Sequence, residues 1–288
     1  MDENAIGSQR KGRQNMVLQQ KRVAEFREAH AKGKILVLPN AWDAASARLV
    51  QDAGAEAVAT SSAAVAWSNG YADGEGMSRE VAIAATKEVL RVVNLPVSVD
   101  SEAGYSSDPA KVAEHCLGLI DIGVAGLNIE DGSESPDLLA AKIRAIKSAA
   151  KAKGADIFIN ARADVYLRNL VPDDKKLAEM VRRTRLYTEA GADGIFAAFM
   201  TDIAQIRDVV AATDLPVNIL ATKATPDVAV LKAAGVRRLS IGALTGRAAY
   251  GQAARAVKML LDDGRYDAIF ATAGDCPDFN KAFGQGEA

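Results

Sequence analysis

Four times along the chain a helix-like segment stops at a glycine just before a short apolar run: Ala53-Gly54-Ala55, Ile122-Gly123-Val124, Ala190-Gly191-Ala192 and Ala234-Gly235-Val236. Glycine suits that stop because it alone enters the left-handed conformation without a Cβ clash. The runs that follow these stops, and their counterparts elsewhere, cover residues 35–38, 57–60, 96–99, 126–129, 157–160, 194–198, 216–220 and 238–241. Most are continuously apolar rather than alternating, as expected of strands buried on both faces of a parallel sheet. Parallel neighbours need long crossovers. Amphipathic segments supply them at 44–53, 78–93, 136–153, 173–190, 202–213, 227–234 and 248–262, with another opened by Asp108-Pro109 and one ahead of the first strand at 14–31.

Eight strands, each followed by a helix, in 288 residues predict a single α/β domain over residues 1–288, a (β/α)8 TIM barrel. A doubly wound open sheet is the competing topology. No GxGxxG or GxxxxGK[ST] pattern follows the first strand, which disfavours a nucleotide site. Residues 1–15 are polar and expected to be flexible or packed on a partner subunit; 67–76 are rich in glycine and polar residues and expected to loop; 264–288 form a tail without a strong period.

Charge narrows the partners. Thirty-five Lys+Arg against 37 Asp+Glu give a net of −2, so no basic field attracts nucleic acid or an anionic membrane. Neither a secretory signal nor an apolar run of about 18 residues is present, and a cytoplasmic location is expected. Two cysteines, Cys116 and Cys276, make neither a disulfide framework nor a metal cage.

Chemistry concentrates at the carboxyl ends of the strands, where α/β folds place it. The stretch 95–132 ends two neighbouring strands in acid, Asp100 with Glu102 and Glu130 with Asp131. These are either solvated loop acids or carboxylates gathered on a divalent cation, and hard oxygen ligands suit Mg²⁺, with Mn²⁺ possible. The other strand ends add Ser61 and Ser62, then Asp73 from the loop, Asn160, Arg162 and Asp164, Asn218, and the Thr222-Lys223 pair. A guanidinium beside a cation suits a substrate with carboxylate and keto or hydroxyl oxygens. Arg162 has a structural alternative, pairing with Asp164 or Glu130.

The segments PNAWDAASARLVQDAGAEAVATSSAAVAW, VSVDSEAGY, LNIEDG and INARADVY resemble the isocitrate lyase/phosphoenolpyruvate mutase superfamily over residues 35–246. The resemblance implies a TIM barrel whose last helices are exchanged between subunits in a dimer of dimers, a homotetramer. It also implies Mg²⁺ at Asp100, Glu102 and Glu130, with Asp73 reaching it directly or through water, and a small oxo or hydroxy acid as substrate. On that pattern Asp73, Arg162 and Glu130 are expected to be catalytic, and Ser61, Ser62, Asp100, Arg162, Asn160 and Asn218 to bind substrate.

The departures bear on the reaction. The C–C lyase branch carries a Lys-Lys/Arg-Cys-Gly-His loop where this chain has Asp131-Gly132-Ser133-Glu134-Ser135-Pro136, short and without cysteine. Helical spacing places Cys116 in a core, His115 on a helix surface and Cys276 in the tail. The mutase branch has a longer gating loop than this one. The expectation is therefore an Mg²⁺-dependent lyase or decarboxylase that forms or cleaves a C–C bond next to a pyruvate-type enolate in a small 2-oxo or 2-hydroxy dicarboxylic acid. The alternatives are phosphonate P–C chemistry and an oxo-acid-binding relative with weak catalysis.

Overall fold

The computed structural model describes residues 3–31 and 33–284. Helix α1 (Glu3–Ala29) leads into β1 (Leu36–Leu38), β2 (Asn40–Ala41), α2 (Ala44–Asp52), β3 (Val58–Thr60), α3 (Ser62–Ser68) and α4 (Arg79–Val92). Next come β4 (Val97–Asp100), α5 (Pro109–Asp121), β5 (Gly126–Glu130), α6 (Pro136–Ala152), β6 (Phe158–Ala163) and α7 (Asp173–Ala190). The chain closes with β7 (Gly194–Ala197), α8 (Ile203–Ala211), β8 (Val217–Leu220), α9 (Val228–Ala233), β9 (Arg238–Ser240), α10 (Leu244–Asp263), α11 (Asp267–Ala273) and α12 (Phe279–Phe283).

All strand pairings are parallel, in the order β1-β9-β8-β7-β6-β5-β4-β3-β2. The two outer members of that order are one strand interrupted at Pro39, which has no N–H to give to a ladder. Its first piece pairs with β9 and its second with β3, so the sheet closes into the (β/α)8 barrel.

Two apolar layers follow from strand alternation. Val58, Val97, Val99, Leu127, Ile129, Ile159, Ile195 and Ile219 point outward and pack with the helices in the larger cluster. Leu36, Leu38, Ala57, Ala59 and Phe158 point inward and pack with Val23, Phe26 and Ala29 of α1, which plugs the floor of the barrel. Gly126 is required there: a Cβ on it would lie 2.7 Å from the Phe26 ring.

Several boundaries differ from the sequence reading. The first helix begins at Glu3 rather than at residue 14, taking in most of the polar leader. An alanine-rich run continues past β3 as α3, so the loop expected from residue 67 starts at Asn69, its C-cap. Helix α10 starts at Leu244 rather than 248, and the tail forms α11 and α12. On these last helices Leu261, Tyr266 and Phe270 are 78%, 60% and 72% exposed. Among the described residues, no helix is long and apolar enough to cross a membrane.

Candidate active site

Positions two apart on a strand share a face, so Asp100, Glu130 and Arg162 continue the inward rows of Ser98, Asn128 and Asn160 to the carboxyl rim. Register then sets neighbours: Asp100 lies beside Asn128, Glu130 beside Arg162, and Arg162 beside Phe196. Ser61 caps α3 with its hydroxyl free of any cap bond, and Ser62 begins the helix. The Ser62 N–H and hydroxyl both donate to Asp100 Oδ2, at 3.2 and 2.9 Å. The Asp100 N–H is held by Thr60 Oγ1.

A cavity of about 140 Å³ opens at this rim, small beside the roughly 300–1,000 Å³ of sites for drug-sized ligands. One wall is polar, with Asn40, Ser61, Ser62, Asp73, Asp100, Asn128 and Arg162; the other is apolar, with Leu167, Phe196, Phe199 and Leu220. Phe199 has φ +64°, a left-handed conformation unusual for an aromatic residue, and strain of this kind clusters at functional sites.

Negative charge is in excess. Arg162 Nη1 meets Glu130 at 2.6 Å, and its Nε and Nη2 bind Asp164 at 2.6 and 3.1 Å. Both structural pairings expected of Arg162 are therefore present together, which leaves one N–H on each Nη for a ligand. Burial pushes Glu130 above the usual carboxylate range, with Asp100 and Asp164 adding to the shift against the pull of Arg162. Burial likewise pushes Glu102 up to about 7, and Asp100, Asp73 and Glu75 add to it.

Asp100 Oδ1 is buried with no hydrogen-bond partner, an orphaned carboxylate oxygen at the cavity. An orphan of that kind beside crowded carboxylates fits a cation. Among the described residues no three His, Cys, Asp or Glu are gathered into a ready-made metal cage. That does not argue against Mg²⁺, which binds through one or two carboxylates and keeps several waters.

The other expected residues are spread more widely. Asp73 lines the cavity from the exposed loop after α3. Glu102, at φ +49°, accepts the Glu75 N–H, and Glu75 in turn accepts the Tyr105 N–H, latching that loop to the end of β4. Glu102, Glu130, Asn160 and Asn218 do not reach the cavity lining: the two acids stand behind it at the ends of β4 and β5, Asn160 donates to Asn128 Oδ1, and Asn218 exchanges hydrogen bonds with Ser240 inside the barrel. Thr222 binds Thr225 within its own turn. Asp131 is drawn away from the other acids, accepting from Arg183, Tyr187 and the Asp164 N–H, so it anchors α7 to the rim.

Cys116 is fully buried and its thiol is pushed up to about 12 by desolvation, as a core cysteine. His115 corrects the sequence reading. It is 4% exposed, not on the helix surface, and its Nε2 meets Ser101 Oγ at 3.2 Å, because α5 turns that face toward the end of β4. The short loop after β5 is pinned by Lys142, whose Nζ binds Glu134 and the Ala103 carbonyl.

Sequence reasoning missed Asn128, Phe196, Phe199 and Asn40, which also line the cavity. For Asn128 and Asn40 a signal existed, a polar residue inside or next to an apolar strand run. Asn40 uses it structurally, accepting the Ile241 and Gly242 N–H groups and donating to the Thr60 carbonyl across the closure.

Comparison with known proteins agrees with the barrel fold. The profile of the phosphoenolpyruvate phosphomutase family matches residues 26–261. A solved structure of a candidate phosphonomutase from Burkholderia cenocepacia is 41% identical, with a TM-score of 0.78, over 83% of this chain and 99% of that one. An uncharacterised Mycobacterium tuberculosis protein is 35% identical over 82% of this chain and 89% of its own length. The 2-methylisocitrate lyase of Escherichia coli is 30% identical over 70% and 71%. The chain thus belongs to the phosphoenolpyruvate phosphomutase family, within the phosphoenolpyruvate mutase/isocitrate lyase superfamily of lyases and mutases, and is an enzyme of that type.

Proposed function

We propose that the protein is an Mg²⁺-dependent lyase or decarboxylase that forms or cleaves a C–C bond next to a pyruvate-type enolate in a small 2-oxo or 2-hydroxy dicarboxylic acid. The observation that carries this reading is the orphaned Oδ1 of Asp100, a residue that lines one small cavity with Arg162, Ser61 and Ser62. Asp100 would hold the cation with Glu102 and Glu130, directly or through water, and Asp73 would approach from the loop. Bound there, Mg²⁺ would polarise the 2-oxo group and offset the charge of an enolate.

The chain's own residues supply orientation. The free N–H groups of Arg162 take a substrate carboxylate, and the Ser61 hydroxyl offers a further donor. Phe196, Phe199 and Leu220 form the apolar side of the cavity. Neither cysteine lines the cavity: Cys116 lies in the core and Cys276 is exposed in the C-terminal segment. A water admitted to the cavity would give the proton to the enolate carbon and leave as hydroxide.

The Burkholderia relative favours a second reading, P–C bond chemistry on a phosphonate. Against it, Arg162 is the one cationic side chain lining the cavity among the described residues, and two carboxylates already share it. A phosphonate adds charge with no second cationic side chain in that lining to receive it.

Calorimetric titration of oxalate, an enolate mimic, tests the proposal. Micromolar binding that requires Mg²⁺ and vanishes in Asp100→Ala is expected; binding indifferent to the metal, or to that substitution, overturns it.

A further inference from the structure

Asn128 lies on β5 in register with Asp100, and it lines the cavity. Its Oδ1 accepts from Asn160 Nδ2 at 2.9 Å and from Arg238 Nη2 at 3.2 Å. A guanidinium only donates. The Asn128 carbonyl oxygen is therefore committed to the barrel interior, and its Nδ2 amide is left for the cavity, where no described group of the protein accepts from it.

Arg238 is an expensive way to hold one amide. It is 1% exposed, lies 5.8 Å over the Phe26 ring, and its Nε and Nη1 have no partner. A buried, half-satisfied cation is costly, and an apolar side chain of similar volume would fill the same space with less penalty. Packing alone does not account for it.

We propose that Asn128 is a substrate-contacting residue whose amide donates to an oxygen of the ligand held beside Asp100, and that Arg238 is the positioning residue that locks the amide in that orientation. The inference rests on the oxo-acid reading of the site. The Asn128 donor and the orphaned Asp100 Oδ1 stand on adjacent strands, so one ligand oxygen can meet the first beside a cation on the second. A donor so placed gains strength as a keto oxygen takes on enolate charge, which is the preorganised contact that favours a transition state.

The test is the Mg²⁺–oxalate titration on variants, with thermal unfolding measured in parallel. Asn128→Asp keeps both acceptor contacts and adds an ion pair to Arg238, so a purely structural role survives, but the donor is gone. It is expected to bind oxalate about ten- to a hundred-fold more weakly with its melting temperature preserved. Asn128→Ala, which adds no charge, is expected to show a comparable loss. Arg238→Met is expected to weaken binding by less, because the amide is freed rather than removed. In the Asn128→Ala background Arg238→Met should then have no further effect.

Wild-type affinity in both Asn128 variants overturns the proposal. Loss in the aspartate variant alone is charge repulsion and overturns it equally. Additive losses in the double variant remove the positioning role of Arg238. Failure of the wild-type protein to bind oxalate overturns the oxo-acid reading itself, and this inference with it.

Discussion

Arg162 and Asp100 stand on the same rim with unequal consequences for stability. Arg162 neutralises two carboxylates, Glu130 and the fully buried Asp164. Removing one partner of a buried ion pair leaves an uncompensated charge, typically at about 3–5 kcal/mol. Arg168 also binds Asp164, at 3.0 Å, and lies 3.9 Å from Glu130, so Arg162→Met is expected to lower the unfolding free energy by less than that full amount, as well as to abolish oxalate binding. Asp100→Ala relieves a crowded set of acids but gives up the two Ser62 hydrogen bonds, and is expected to abolish binding with a smaller loss of stability than Arg162→Met. Denaturant unfolding of both variants checks the contrast; equal destabilisation would mean that Asp100 has a structural role instead. At this scale the sequence was most legible where acids follow apolar runs, as at Asp100 and Glu130. Asn128 and Arg238 were harder to see because they sit inside strand runs, where only the barrel's closure brings them within reach of each other. Asn160 and Asn218 had the right residue type and strand, but they sit one inward position below the rim.

Among the elements, α1 matters beyond its length because it closes the barrel floor. Phe26 is fully buried against Phe158, with ring centroids 5.1 Å apart, and Gly126 makes room for it. Phe26→Ala is expected to cost about 3–5 kcal/mol in chemical denaturation; a loss below 1 kcal/mol would show that the plug is dispensable. His30, just beyond the helix end, stacks on Phe158 at 4.5 Å and holds the Phe26 carbonyl through Nδ1. Burial, reinforced by Arg238, depresses its imidazole to about 3 against an ordinary 6.5. The unfolded chain takes up a proton between those values and the folded one does not, so stability should fall as pH drops from about 6.5 towards 3 and be independent of this group above 6.5. The span corresponds to about 5 kcal/mol. His30→Leu should flatten the acid limb of a stability–pH curve measured by urea unfolding, and an unchanged limb would assign that sensitivity to other groups. The plug was only half legible in the sequence. The apolar positions of the helix were clear, but a helix ahead of the first strand has no partner until the barrel closes. The break at Pro39 was hidden in the same way: it splits one strand between two neighbours that lie far apart in sequence.

At the scale of the whole molecule, the barrel satisfies its own apolar surfaces and the last helices do not. Helices α2 and α4–α9 pack into the outer core and α1 into the inner one, whereas the one buried residue of α10 is Gly246, which packs close to Trp42 and Ala64, and α11 and α12 bury nothing. Val257, Leu260, Leu261, Tyr266 and Phe270 remain exposed along α10 and α11. Apolar groups clustered in this way mark an association surface. Helix exchange in a dimer of dimers, implied by resemblance when only the sequence was in hand, would cover them with a second copy, and such an interface is self-complementary under twofold symmetry. The expected outcome is a concentration-dependent oligomer in sedimentation velocity that Leu261→Asp with Phe270→Asp reduces to smaller species. Both positions lie away from the cavity, so a dissociated variant that still binds Mg²⁺–oxalate would show each barrel to be a complete site. If dissociation and loss of binding occurred together, the C-terminal helices would be acting on the rim, and α10 gives them a route, since it follows directly from Gly242 and Ala243 of the cavity wall. A wild-type chain that sediments as a monomer at every concentration would end the assembly argument.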